Sequence, residues 1–321
     1  MYDTTSKDKY FEILFSQEEK ENHLALLTLA KLDILPPKLY RYRPITEHLA
    51  DTLKNDTAFL CPAYNLNDPY DAGLTVDYET HLNRIKEKVL LDFRTSFFHI
   101  FPNRSFEDVF NEIKTIFKDV PLKHLGRLLG NSLNQDEIII QDLISKIEYM
   151  TEQTTDTYED YVKSLSELSQ STAYLACFTE THDNTLMWSH YAQNHEGICI
   201  EYDFSRLEYT SRTIQTLSPV KYTNKLFDIN DYSNRTPIDK IQLAALSKFD
   251  CWEYENEWRL ISFIEEQRFQ LIKPTAVIFG TKISKENKES ISKICEERGI
   301  PTKQAELSRA EYKLHIKYKS R

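Results

Sequence analysis

Glu255, Glu257 and Arg259 occupy every second position in the tract Trp252-Glu253-Tyr254-Glu255-Asn256-Glu257-Trp258-Arg259-Leu260-Ile261-Ser262-Phe263. The β-prone run from Tyr254 to Phe263 predicts a strand, in which side chains alternate between two faces. On that reading Glu255, Glu257 and Arg259 share one face, and Tyr254, Trp258 and Leu260 share the other. Two carboxylates and a guanidinium among bulky aromatics cost free energy to bury unless they are paired or used. The tract therefore predicts a polar site, and by itself says less about which reaction happens there. The competing reading is a charge network in which these three side chains pair with Arg41 and Arg43 across strands.

Two further clusters carry usable chemistry. Met187-Trp188-Ser189-His190-Tyr191 falls on a stretch, Thr185 to His195, that reads as a helix with Gly197 as its stop. His190 is a candidate acid, base or phosphate donor, and Tyr191 and Trp188 are candidates for stacking on a planar ring. The competing reading packs Trp188 and Tyr191 into the core and ties His190 to a backbone carbonyl. Asn67-Asp68-Pro69-Tyr70-Asp71 has the composition of a rigid local turn. In a functional reading Asn67 and Asp68 orient a ribose or amide, or present a carboxylate to a metal. His182, Asp183, His190, His195 and Glu196 match no familiar zinc spacing, so no metal is expected. No glycine loop able to cradle phosphate is visible.

The elements that must position these residues are mixed. Phe11 to Leu32 reads as one helix, within an N-terminal helical segment 1–37. Lys38 to Pro44 reads as a strand with Tyr40 and Tyr42 on one face and Arg41 and Arg43 on the other. Ala58 to Cys61, Ala173 to Phe178, Ile198 to Asp203, Pro219 to Thr223, Ala276 to Gly280 and Ala310 to Lys319 read as further strands. Ile238 to Phe249 and Lys285 to Arg298 read as helices. Between them, Leu82 to Phe98, Phe106 to Phe117 and Glu137 to Met150 have helical periodicity. The expected fold is therefore α+β: a mixed-sheet core, 38–78 and 171–321, with a helical insertion, 79–170, within the same domain.

Composition narrows the function classes. The 321 residues carry a net charge of −10, which argues against non-specific binding to nucleic acid. Hydrophobic residues make up 40%, enough for a substantial core, yet no apolar run is long enough to span a membrane. The start, Met1 to Asp8, lacks a signal-peptide core, and five widely spaced cysteines fit reduced thiols. The expected location is cytoplasmic.

Six blocks occur in order: Leu39-Tyr40-Arg41-Tyr42-Arg43, Asn67-Asp68-Pro69-Tyr70, Cys177-Phe178, Met187-Trp188-Ser189-His190-Tyr191-Ala192, Gly197-Ile198-Cys199-Ile200-Glu201-Tyr202 and Trp252-Glu253-Tyr254-Glu255-Asn256-Glu257-Trp258-Arg259. Together they resemble the bacterial domain-of-unknown-function family number 2971, over about Leu39 to Gly280. Such proteins resemble accessory genes of bacteria and mobile elements, which by analogy implies a defence role, including phage defence, or a toxin-like one. Separately, Glu255-Asn256-Glu257 resembles the Glu-x-Glu of arginine-directed ADP-ribosyltransferases. That resemblance implies an enzyme using NAD as substrate, by ADP-ribosyl transfer or NAD glycohydrolysis. Glu257 would stabilise the transition state, Glu255 would act on the acceptor side, and Arg43 or Arg41 would hold the NAD phosphates. His190, Tyr191, Trp188 and Asn67 would line the pocket. The alternatives are a non-enzymatic module that binds a ligand or a phage or host partner, and a metal-dependent nuclease or hydrolase built on Asp68, Asp71, Glu255 and Glu257. The acceptor or protein partner is left open.

Overall fold

The structure is a computed structural model and describes residues 4–17, 22–81, 83, 105, 108, 158–232, 234–265 and 268–318. The chain divides into two compact units, Met1–Leu74 with Ser166–Arg321, and Thr75–Leu165. The stretches Leu82 to Phe98, Phe106 to Phe117 and Glu137 to Met150, expected to be helical, lie outside the described residues.

Nine strands of the first unit form its main sheet: β1 (Lys38–Arg43), β2 (Cys61–Pro62), β3 (Tyr174–Thr179), β4 (Ile198–Asp203), β5 (Leu217–Pro219), β6 (Glu257–Ser262), β7 (Ala276–Phe279), β8 (Thr302–Leu307) and β9 (Leu314–Tyr318). Their order is β9-β8-β7-β4-β1-β3-β6-β5, with β2 added on β3. Pairing is antiparallel except between β7 and β8, which are joined through the helix Lys285–Arg298. A mixed sheet with helices grouped around it is the α+β class expected from the order of elements.

The sheet has one opening. β1 pairs with β4 along its whole length, and β3 pairs with β6 along its whole length. β1 and β3 are bridged only at Tyr40↔Thr179. Beyond that bridge β3 takes β2 as its neighbour, with Cys61 opposite Leu175. The stretch Arg41–Arg43 is therefore separated from the middle of β3. On the other face of β1, Tyr40 and Tyr42 pack with Met187, Trp188, Ala192 and Ile278, so the two faces of this strand divide as expected.

Several local expectations are corrected. Phe11 to Leu32 is two helices, Thr4–Leu14 and His23–Ile34. The helix over 185–195 stops at Tyr191, because Gln193, Asn194 and His195 turn with φ of 50°, 53° and 72°. Pro237–Ala245 is helical, but Ser247–Phe249 is a strand paired in parallel with Lys221–Thr223. The strand expected from Tyr254 begins only at Glu257. Asp250–Glu255 is a 3-10 helix, and Asn256 breaks the run in the left-handed region at φ 43°.

In the second unit, the Tyr158 hydroxyl donates to the Val76 carbonyl, and its ring meets Tyr78 edge-on at 5.0 Å. His81 stacks on Tyr161 at 5.3 Å.

Candidate functional site

A cavity of about 200 Å³ lies at the opening between β1 and β3. Arg41 and Arg43 line it from β1, Cys177 from β3, Asn67 and Asp71 from the turn after β2, and Tyr191 from the helix Thr185–Tyr191. Lys248, Glu255 and Glu257 complete the wall.

The acidic wall is a closed charge cluster. Arg259 and Glu257 are two apart on β6, and the period-2 geometry puts Arg259 Nε 2.8 Å from Glu257 Oε1. Arg259 Nη2 also reaches Glu257 Oε2 at 3.0 Å and Asp71 Oδ1 at 2.7 Å. Its Nη1 donates to the Ala245 carbonyl at 2.7 Å. Lys248 Nζ bridges Glu255 Oε2 at 2.6 Å and Glu257 Oε2 at 2.9 Å, and lies 5.1 Å from the centre of the Trp252 ring. Tyr191 donates its hydroxyl to Glu255 Oε1 at 2.6 Å and accepts from Asn67 Nδ2 at 2.9 Å. Glu255 thus rejoins Glu257 although it is not on the strand. Asn256 turns the backbone, Thr179 Oγ1 donates to the Glu255 carbonyl, and Lys248 gathers both carboxylates.

The Asp71 turn is held by its neighbours. Asp68 Oδ1 accepts from the Tyr70 amide at 2.9 Å, and the Asp71 amide donates to the Asp68 carbonyl at 3.1 Å. Gln170 Nε2 donates to the carbonyls of Pro69 and Asp71. Ser169 Oγ donates to the Ala72 carbonyl. The local-turn reading of Asn67 to Asp71 therefore holds, and the turn also delivers Asp71 to Arg259.

Glu257 is shifted opposite to the other two carboxylates. Burial alone would raise Glu257, but Arg259 and Lys248 beside it outweigh burial and hold it well below the usual carboxylate range. Burial raises Glu255, with Lys248 opposing. Burial also raises Asp71, against the opposing pull of Arg259 and Lys248. For Lys248, burial works against the ammonium, and Glu257, Asp71 and Glu255 overturn it and keep the proton on. Carboxylates whose environments separate their pKa values are the arrangement from which acid and base roles arise.

The opposite wall is cationic. Among the described residues neither Arg41 nor Arg43 has an ion-pair partner. Arg41 Nη2 donates to the Phe59 carbonyl at 3.1 Å, and its guanidinium lies 5.7 Å from the centre of the Phe178 ring. Burial and then Arg43 pull Arg41 down to about 10, and burial also lowers Arg43. The charge network expected across strands is corrected on this point. Glu255, Glu257 and Arg259 do form a network, but with Lys248 and Asp71, and the two β1 arginines stand outside it.

Of the residues singled out from sequence, Glu257, Glu255, Arg43, Arg41, Tyr191 and Asn67 meet at this cavity. His190 does not line it. Its side chain is exposed, with ring contacts to Tyr191 and Trp252 at 6.2 and 6.5 Å. Trp188 does not line it either. It is fully buried, packs edge-on to Tyr42 at 5.1 Å, and donates its indole N–H to the His182 carbonyl. The core reading of Trp188 is the correct one. Lys248 was missed because Ile238 to Phe249 has helical periodicity, which placed it in a last helical turn. Among the described residues no group of three or more His, Cys, Asp or Glu is arranged to hold a metal ion. Lys248 and Arg259 are the cations paired with Asp71, Glu255 and Glu257. No helix among the described residues is long and apolar enough to cross a membrane.

Residues 187–260 match the model of a family described as a protein of unknown function, DUF2971, and the chain carries that family's pattern over this stretch. The match includes Tyr191, Lys248, Glu255, Glu257 and Arg259, whereas Arg41, Arg43, Asn67 and Asp71 lie outside it. Neither a curated protein nor a solved structure matches the chain.

Proposed function

We propose that the cavity binds the reacting end of NAD and cleaves the nicotinamide–ribose bond, passing ADP-ribose to water or to an acceptor. The observation that carries this reading is the polarity of the cavity. Two guanidinium groups with no carboxylate partner among the described residues line one wall, and Asp71, Glu255 and Glu257 with Lys248 line the other, backed by the buried Arg259. The nicotinamide half of NAD has the complementary layout, a cationic pyridinium joined through ribose to phosphate. Arg43 and Arg41 suit the phosphate by bidentate contact. Glu257, held ionised by Arg259 and Lys248, supplies the fixed anion that an oxocarbenium-like state needs. Glu255 is its acceptor-side partner, and Tyr191 and Asn67 orient it. A cavity of about 200 Å³ is below the roughly 300–1,000 Å³ of sites that enclose a whole ligand, so it takes the reacting fragment alone. All five cysteines are free thiols, which supports a cytoplasmic setting for this chemistry.

One observation favours a second reading, a binding module without turnover. Both Glu257 oxygens are already engaged by Lys248 and Arg259. The test is nicotinamide release from NAD, followed by chromatography, beside thermal unfolding with and without NAD. The enzyme reading expects release, reduced roughly 100-fold or more by Glu257→Gln. Stabilisation by NAD with no release transfers the site to the second reading. Absence of both effects removes each of them.

A further inference from the structure

We propose that Asp71 is the proton acceptor of this site, taking through Oδ2 the proton that the attacking water or hydroxyl gives up. This rests on the glycosyl-transfer reading above. Asp71 is 1% exposed and lines the cavity. Its Oδ1 is taken by Arg259, while Oδ2 is buried with no hydrogen-bond partner among the described residues. A buried acceptor left in that state is costly, and it is relieved by a donor arriving in the cavity. The other carboxylates are committed: Glu257 to Arg259 and Lys248, and Glu255 to Tyr191 and Lys248. The hydrogen bonds from Gln170 and within the Asp68 turn fix the Asp71 backbone.

Charge points the same way. Asp71, Glu255 and Glu257 face Lys248 and Arg259, so the fully ionised cluster carries one excess negative charge among buried side chains. The other titratable groups around it are Tyr191, Tyr222 and Cys177, with Arg41 and Arg43 across the cavity. Burial raises Asp71, which makes it a stronger proton acceptor than an ordinary carboxylate. The step balances. The acceptor oxygen bonds to the ribose anomeric carbon, the bond from that carbon to the ring nitrogen breaks, and its electron pair goes to the nitrogen. The acceptor's proton passes to Asp71 Oδ2. The pyridinium charge and the cluster's excess charge disappear together.

The experiment compares wild type with Asp71→Asn in two measurements. First, thermal unfolding is followed across pH. A carboxyl raised on folding contributes stability at low pH that is lost as pH rises through its folded value. Wild type should therefore lose stability relative to the Asn variant as pH rises from about 4. Second, hydrolysis of NAD should fall roughly 100-fold or more in the variant. Azide, a nucleophile with no proton to surrender, should restore nicotinamide release. Should the variant not fold, infrared spectroscopy of wild type labelled with ¹³C-aspartate takes its place. A protonated carboxyl band should then persist above the ordinary aspartate range of about 3.9. A pH-independent difference in unfolding, loss of that band within the ordinary range, or a variant that hydrolyses NAD at the wild-type rate overturns the assignment of Asp71. A wild type that releases no nicotinamide overturns the glycosyl-transfer reading, and Asp71's catalytic role with it.

Discussion

Arg259 reaches Asp71 from 188 residues away in sequence, Nη2 to Oδ1 at 2.7 Å, with both side chains sealed from solvent. The same guanidinium holds Glu257 and the Ala245 carbonyl, so one side chain ties β6, the turn after β2 and the helix Pro237–Ala245 together. Removing it leaves two buried carboxylates with less compensation. Arg259→Met is expected to destabilise the fold by about 3–5 kcal/mol. Arg259→Lys should recover only part of the loss, because an ammonium cannot reproduce the planar fork. Urea denaturation at constant slope measures both, and a loss below about 1 kcal/mol for the Met variant would contradict this account.

Arg43 presents the opposite case. It is half-buried and lacks an ion-pair partner among the described residues, so its desolvation is not offset by a neighbouring carboxylate. Arg43→Gln is expected to leave the unfolding midpoint unchanged or raise it, while weakening anion binding. Inorganic phosphate is the probe. It should raise the melting temperature of wild type in a saturable way, by occupancy-driven stabilisation, and raise that of the variant much less. An equal phosphate response in the two proteins would remove the anion role from Arg43.

Glu201 provides a pH test away from the cavity. On β4 it accepts from Lys38 at 2.8 Å, Lys303 at 2.6 Å and Thr275 Oγ1 at 2.9 Å. Burial raises its carboxyl, but the bonds from Lys303, Lys38 and Thr275 outweigh burial and hold it at about 2. The folded value lies below the ordinary 4.5, so the stabilisation is present above that value and is lost as pH falls toward 2. Glu201→Gln should therefore be less stable than wild type at neutral pH, with the gap closing on acidification through this window. Melting temperatures across the acid range check it, and a gap that stays constant would show that Glu201 does not titrate as its partners require.

What could be read from the sequence follows the range of the forces involved. β7 is an apolar run, and the Glu257–Arg259 contact follows from strand periodicity alone. The division of β1 into a tyrosine face and an arginine face was legible for the same reason. Glu255 was assigned to the right cluster through the wrong element, since one left-handed residue, Asn256, ends the strand pattern while Lys248 restores the contact. Asp71 joins Glu255 and Glu257 in the sequence reading only under the metal-dependent alternative and otherwise reads as part of a local turn, because nothing near it in sequence announces Arg259. Lys248 was hidden for a related reason: the single residue Leu246 separates its strand from the helix before it. Short-range periodicity was legible, and long-range pairing of charges was not.

Gly197 links the fold to the site. Its amide donates to the Ala192 carbonyl at 2.8 Å, and only Glu196 separates it from three left-handed residues, Gln193 to His195. A Cβ at this position would lie 2.3 Å from the Arg43 carbonyl and 3.0 Å from Ala192 backbone atoms. Glycine is needed here for close approach of two backbones, and the backbone it touches is that of a cavity arginine. Gly197→Ala is expected to cost about 1–3 kcal/mol or more, because the obstacle is backbone and cannot swing aside. Since the displaced segment carries Arg43, the phosphate response should weaken as well. Gly299→Ala is the control. Gly299 sits at φ 60°, but the nearest atom a Cβ would meet is Lys273 Nζ at 3.9 Å, so the cost is conformational, about 1–2 kcal/mol. Both variants should lose stability in chemical denaturation, and only Gly197→Ala should lose phosphate-dependent stabilisation. If Gly299→Ala loses it equally, the effect is global destabilisation, and Gly197 has no special hold on the Arg43 wall.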